Sequence, residues 1–367
     1  MLFLSFLNPA VAKEFSLWIA GAEGVELCKL DTITGRLSSI QKTNMAPLTW
    51  LASSEEKFVY GGSVLPGSAD PINGALSAFR INSDKSWTLL SRVPSLGKTT
   101  VHLTLSPSGR NLYAVNFRHD SYTSRGSVVN FALNKDGSIG NHLQRFEHPG
   151  QGGSRSNRQL ASHPHSIVKS HNQEYVAVAD LGVDQVFIYR VDTKTEELKL
   201  VSRIQGQPGQ QPRHLVWHPS DEFLYCMNEA SPTVSVAEFH KISGKGKFVQ
   251  HVKRTQNKGG GGADICMDSE GRWLFGSNRG EDTIVAYTIN SESGHIHLIG
   301  HVPTGGGSTR SIAISPDDQW LIAANQANHS VTVFFIDQAN GTLKAKNRPL
   351  QIESPACVLF CKPEKDN

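Results

Sequence analysis

The segment GQQPRHLVWHPSDEFLYCMNEA (209–230) sets Arg213 at the start of one apolar run and Glu229 just past the end of the next. A guanidinium is a fixed fork of donors for a carboxylate, a phosphate or a developing oxyanion. A carboxylate can orient a base or activate water. The alternating apolar positions predict two strands joined by a turn, and neither charged residue is needed to bury them. The pair is either one buried salt bridge or part of a larger polar site, and the rest of the chain must decide between them.

The chain repeats the segment. The pattern is Pro-X-X-apolar-X-apolar, a polar turn, then an aromatic or aliphatic residue three places before Asn. It recurs in TTVHLTLSPSGRNLYAVNFR (99–118), HPHSIVKSHNQEYVAVADLG (163–182), GADICMDSEGRWLFGSNRG (262–280) and TRSIAISPDDQWLIAANQA (309–327). Weaker copies lie at 47–63 and 14–21. The Asn position is filled by Gly21, Ser63, Asn116, Asp180, Asn228, Asn278 and Asn325. Seven copies at a spacing of about fifty residues have the period of β-propeller blades. A third strand follows each copy, as in DQVFIYRVD (184–192) and SVTVFFID (330–337), and then a more polar fourth.

The first copy lacks its inner strand, and the chain ends with an unpaired one, SPACVLFCK (354–362). The fold expected is therefore an all-β, seven-bladed β-propeller closed by pairing of the N- and C-terminal strands. Residues 1–13 are expected to be an N-terminal extension, 14–363 one propeller domain and 364–367 a tail.

Inner strands line the channel of a propeller, so equivalent positions form a ring. Spacing matches Arg213 with Leu48, His102, His165, Ala263, Arg310 and Ala356, and Glu229 with Phe117, Leu181, Arg279 and Gln326. One mouth should then gather His165, Arg213, Glu229, Arg279 and Arg310. The repeat's structural needs are met by apolar residues and Asn, while the ionic groups vary from blade to blade, as a ligand site requires.

Composition narrows the partners. Lys plus Arg number 36 against 33 Asp plus Glu, for a net charge of +3 with no polybasic run, so neither charge nor patterning points to nucleic acid. The five cysteines read as reduced, buried, small apolar side chains. The start, MLFLSFLNPAVAKEF, has a short apolar run but no basic residues ahead of it, so a cytoplasmic protein is expected rather than an exported one. No run of about 18 apolar residues exists, so no membrane helix is expected. GKGK (244–247) and GGGG (259–262) do not stand between a strand and a helix, and there is no Gly-X-Ser-X-Gly elbow. HPHS offers two histidines without a third ligand, so neither a metal nor an organic cofactor is expected.

The segments RQLASHPHSIVKS, ADLGVDQVFIYRVD, QPRHLVWHPSDEFLYCMNE, SNRGEDTIVAYTI and TRSIAISPDDQWLIAANQANHSVTVFFID resemble the seven-bladed propeller lactonase family. That family includes the bacterial propeller-type 6-phosphogluconolactonases and the fungal-type 3-carboxy-cis,cis-muconate lactonizing enzymes. The resemblance runs from about residue 15 to near the end of the chain. It implies that His165, Arg213, Glu229 and Arg279 carry the chemistry. Either His165 or Glu229 would act as base, and the arginines would hold an oxyanion and an anionic tail. The insertion 148–162 is expected to arch over the mouth and bring Arg158 to the substrate, with Arg310 and His102 also binding it. The implied function is hydrolysis of a small anionic sugar lactone, foremost 6-phosphogluconolactone. Cycloisomerisation of a muconate polycarboxylate is the alternative. A non-enzymatic scaffold is a third reading, disfavoured because none of the six Trp is followed by Asp. The oligomeric state is left open.

Overall fold

A computed structural model describes residues 14–54, 57–64, 74–118, 124–154, 157–255 and 261–361. The extension and tail expected at 1–13 and 364–367 lie outside these residues. Seven four-stranded antiparallel sheets follow one another along the chain. In the first, Cys357–Phe360 forms the inner strand against Glu14–Gly21, with Leu17 opposite Phe360 and Ala20 opposite Cys357. The N- and C-terminal strands thus share one blade, as expected, and neither leaves an open inner edge. The remaining inner strands are Trp50–Ser54, Lys98–Leu105, Pro164–Lys169, Pro212–Trp217, Gly262–Met267 and Thr309–Ile314. They belong to blades 2 to 7 in that order.

Burial explains the sequence pattern. The second strands Tyr175–Asp180, Phe223–Asn228 and Trp320–Asn325 are buried at every residue, because neighbouring blades cover both faces. They read as continuous apolar runs for that reason. The apolar clusters sit between sheets. One joins Val115 and Val128 of blade 3 to Val176 and Phe187 of blade 4. Another joins Leu17 and Cys28 of blade 1 to Trp320 and Ile322 of blade 7. Stability is thus shared between neighbours around the ring. The five cysteines are free, and Cys28, Cys226 and Cys357 are buried. Burial pushes the thiols of Cys28 and Cys357 up to about 12, so they behave as the small apolar residues expected.

The repeated Asn is a staple. Asn116 Oδ1 accepts hydrogen bonds from Ser95 Oγ (2.7 Å) and Thr100 Oγ1 (2.8 Å), while its Nδ2 donates to Ser95 O and Ser127 Oγ. One amide therefore ties the end of the second strand to the inner and third strands and to the incoming loop. Asn325 does the same with Thr309 and Thr332. An amide has both donors and acceptors, which an apolar residue of its size lacks.

Each polar inner strand begins with a β-bulge. Pro212 faces Asn228 and His214 faces Met227, so Arg213 is left over. The same slip leaves over His165 between Pro164 and Ser166, and Arg310 between Thr309 and Ser311. A bulge re-aims a side chain, and here it turns these residues into the channel mouth. Blade 3 departs from the expected alignment. Its shift lies between Thr100 and His102, so Val101 is the residue equivalent to Arg213. His102 pairs with Val115, directly before Asn116, as His214 pairs with Met227 directly before Asn228. It therefore belongs one ring deeper.

Replacing Asn116 with Ala leaves the hydroxyls of Ser95 and Thr100 and the carbonyl of Ser95 without their buried partner. The loss of stability should be about 3 kcal/mol, read as a lower urea midpoint with an unchanged slope.

Candidate active site

A cavity of about 320 Å³ opens at one end of the channel, and its walls include Arg158, His165, Arg213, Glu229, Arg279 and Arg310. The ring argument and the 148–162 insertion are thus drawn together. Arg158 follows directly on Asn157 at the start of a single 3-10 turn, Asn157–Gln159, within the insertion. Its guanidinium stacks 5.4 Å from the centre of the Phe117 ring. Glu229 and Arg279 each follow the last residue of a second strand, next to the stapled Asn228 and Asn278.

Three arginines converge on one carboxylate. Arg158 Nη1 donates to Glu229 Oε1 at 2.6 Å, and Arg279 Nη2 lies 3.2 Å from the same oxygen. Arg213 Nε is 3.2 Å from Oε2 but poorly aligned, so neither Nε nor Oε2 has a hydrogen-bond partner among the protein atoms. Arg213 Nη1 donates to Ala263 O at 2.8 Å, and only 2% of its side chain is exposed. Burial works to raise the Glu229 carboxyl, yet Arg213, Arg158 and Arg279 together hold it at about 2. It is ionised at any working pH. Burial and then Arg279 weaken the hold of Arg213 on its proton, but a guanidinium remains charged in proteins. The site is therefore a cationic cup with one internal counter-ion and a free carboxylate oxygen.

His165 is buried beside this cup, edge-on to Phe117 at 5.7 Å, and its Nδ1 meets no partner. Burial, then Arg213, push its proton affinity well below the ordinary value of 6.5. The imidazole is neutral and carries an uncommitted ring nitrogen. His163, two residues earlier, does not join it: its Nδ1 bonds to Phe117 O at 2.7 Å, and its ring stacks on Phe117. Among the described residues, no three His, Cys, Asp or Glu side chains are grouped to hold a metal.

His102 was expected in this pocket and is not among its walls. It lies in the ring beneath, stacked on Trp50 at 4.2 Å and edge-on to His214 at 5.4 Å. His214 Nδ1 is 2.7 Å from Asp264 Oδ1, and the His214 ring centre is 5.2 Å from that of His165. Trp50, His102, His214 and Asp264 thus floor the cup. Burial, then His214, push His102 well down, while burial, then Arg213, push His214 down to about 4 despite Asp264.

Arg118 is a wall residue that the ring argument passed over. It stands two places after the stapled Asn116, where blades 4 to 7 have Gly182, Ala230, Gly280 and Ala327. One long cation among small residues was the available signal. Arg118 thus joins Arg158, Arg213, Arg279 and Arg310 in the cavity wall.

Seven four-stranded blades around a channel, with an arginine-rich cavity at one end, define a β-propeller with a polar site at its mouth. Residues 15–360 match the seven-bladed β-propeller lactonases, and the chain belongs to that family. A 6-phosphogluconolactonase of Bacillus subtilis is 25% identical over 348 residues, covering 93% of this chain and 95% of that one. A 6-phosphogluconolactonase of Formosa agariphila is 31% identical over 240 residues. That alignment takes in 63% of this chain and 65% of the relative, just under two thirds of its length. In fold, the chain is similar to a periplasmic gluconolactonase of Pseudomonas aeruginosa, with a TM-score of 0.85 at 23% identity, over 95% of this chain and 99% of that one.

Two outcomes follow from the charges. Glu229→Gln removes the counter-ion of three guanidiniums, and the protein should lose about 3 kcal/mol. Added phosphate should restore part of that loss in a thermal melt, because an anion can take the vacated place. The second concerns pH. His102, His165 and His214 bind a proton less readily folded than unfolded. Below pH 6.5 the unfolded chain takes up protons that the folded chain refuses, so this stability is present above 6.5 and is lost as pH falls towards 4. Urea midpoints measured across that window should fall with pH, and His214→Asn should flatten the fall.

Proposed function

We propose that the protein hydrolyses a small anionic sugar lactone, with 6-phosphogluconolactone giving 6-phosphogluconate as the favoured reaction. The observation that carries this is the convergence of several arginines, one ionised glutamate and a neutral, unpartnered histidine at a single mouth. The activity named for the relatives supports it.

In this reading Arg158 and Arg310 hold the phosphate, with Arg118 also in the cavity wall. Arg213 and Arg279 face the lactone carbonyl. Water attacks that carbon and gives its proton to the imidazole of His165. The new carbon–oxygen bond creates an oxyanion, which two forked cations stabilise more in the transition state than in the ground state. Collapse of the tetrahedral intermediate breaks the bond to the ring oxygen, and His165 returns the proton to it.

Electrostatics favours His165 over Glu229 as the base. Glu229 is held at about 2 and is committed to three arginines, so it binds a proton poorly and serves to place the cations. His165 is depressed chiefly by burial and next by Arg213. An anionic substrate offsets that positive field, so the histidine becomes a better base once the cup is filled. Free buried thiols support a cytoplasmic setting.

Hydrolysis of freshly made 6-phosphogluconolactone, followed by proton release, tests the reading. Wild type should far exceed the spontaneous rate, and Arg279→Ala should lower kcat/KM about a hundredfold. His165→Asn should lower kcat with little change in KM. A wild type no faster than buffer rejects the phosphosugar, and 3-carboxymuconate is then the substrate to try.

A further inference from the structure

Asp184 lies outside the cup, yet its buried carboxylate gathers the loops that bear the cup's arginines. Oδ1 accepts hydrogen bonds from Gln159 Nε2 (2.6 Å) and Gln211 N (2.8 Å), and Oδ2 accepts from Gly153 N and Gly209 N, each at 2.8 Å. Gly153 and Gln159 belong to the insertion that carries Arg158. Gly209 and Gln211 belong to the loop leading into Arg213. The side chain is 1% exposed.

Part of this arrangement recurs around the ring and is structural. Asp184, Asp282 and His329 each stand four residues after the stapled position, each with positive φ (56°, 51° and 51°). Each accepts the backbone N–H two residues ahead of the next blade's inner-strand position: Gln211 before Arg213, Ser308 before Arg310 and Ser354 before Ala356. What blade 4 adds is the grip on Gly153, Gly209 and Gln159. A chain of backbone bonds carries the effect onward. Glu229 N donates to Gln211 O, Gly261 N to Glu229 O, and Arg279 N to Gly261 O, at 2.7–2.8 Å.

We infer that Asp184 is a positioning residue for the anion site: it fixes the 148–162 insertion so that Arg158 reaches Glu229, and it keeps Arg158 in register with Arg213. The inference rests on the reading of the cup as the substrate site. A carboxylate suits the task because it accepts at both oxygens. An amide in its place accepts at one and sets donors against the other.

The test combines Asp184→Asn with Arg158→Ala in a double-mutant cycle, using 6-phosphogluconolactone as substrate. Asp184→Asn should raise KM about tenfold and change kcat less than about threefold. In the Arg158→Ala background its further effect should be clearly smaller, the remainder passing through the loop into Arg213. Gln159→Met, which removes the bond to Asp184 along with those to Leu181 O and from Ser154 N but leaves Gly209 and Gln211 held, should act in the same direction and serves if Asp184→Asn fails to fold. Full additivity with Arg158→Ala, or an unchanged KM in an active enzyme, overturns the inference. Amide exchange over 148–162 in the substrate-free protein gives a reading that needs no activity. It should rise in Asp184→Asn and Gln159→Met but not in Asp282→Asn. No rise overturns the inference even if the wild type proves inactive on the phosphosugar, a result that would by itself reject only the substrate assignment.

Discussion

Guanidiniums packed at the end of one channel repel one another, and their desolvation adds to the cost. The site exists because Glu229 stands among them. Its Oε1 is shared by Arg158 and Arg279, and Oε2 faces Arg213 without a formed hydrogen bond. The carboxylate lowers the repulsion enough for the cup to assemble, but one negative charge does not neutralise the three arginines it meets. The remaining positive field is what attracts an anionic ligand. The same field, together with burial, keeps His165 neutral.

The propeller makes that arrangement available at little structural cost. Blade edges are held by the amide staple and the inter-blade apolar clusters, which ask nothing of the bulged position at the start of each inner strand. That position is Val101 in one blade, His165 in the next, then Arg213, and later Arg310. The residue after the stapled Asn is equally unconstrained and is Phe117, Glu229 or Arg279. A ring of such positions lets chemistry vary while the sheet ladders stay the same. Arg158 is the exception, since it comes from an insertion that no blade requires, and it consequently needs separate anchoring.

Much of this was legible in the sequence. The period, the stapled Asn and the unmatched terminal strands come from repeated residues, and they led to the closed seven-bladed ring. Arg213, His165, Glu229, Arg279 and Arg310 were found because equivalent residues in a closed ring must face one axis. His102 was misplaced because a β-bulge shifts the register by one, and a shift of one moves a side chain to another level. The turn gives the correct count. Six residues before Pro107, Pro219, Pro316 and His171 stand Val101, Arg213, Arg310 and His165. The polar floor of Trp50, His102, His214 and Asp264 stayed hidden because its members lie far apart in sequence and meet only across the channel.

The two candidate bases illustrate what sequence leaves out. By residue type alone, a histidine with an ordinary value near 6.5 is better matched to neutral pH than a carboxylate. In the folded protein both are weakened, but by different agents. Glu229 is weakened by fixed ion pairs that persist with or without a ligand. For His165, burial contributes most, and much of the rest is a positive field that an anionic ligand would cancel. Binding therefore changes the histidine more than the glutamate. Under the proposed reaction, such a base would couple recognition of the charged group to activation of water, although the two lie at different parts of the ligand. That coupling requires the arginines to hold fixed positions relative to His165, which is why the loops bearing them are tied to the blade frame through buried carboxylate and amide groups rather than left to find the anion on their own.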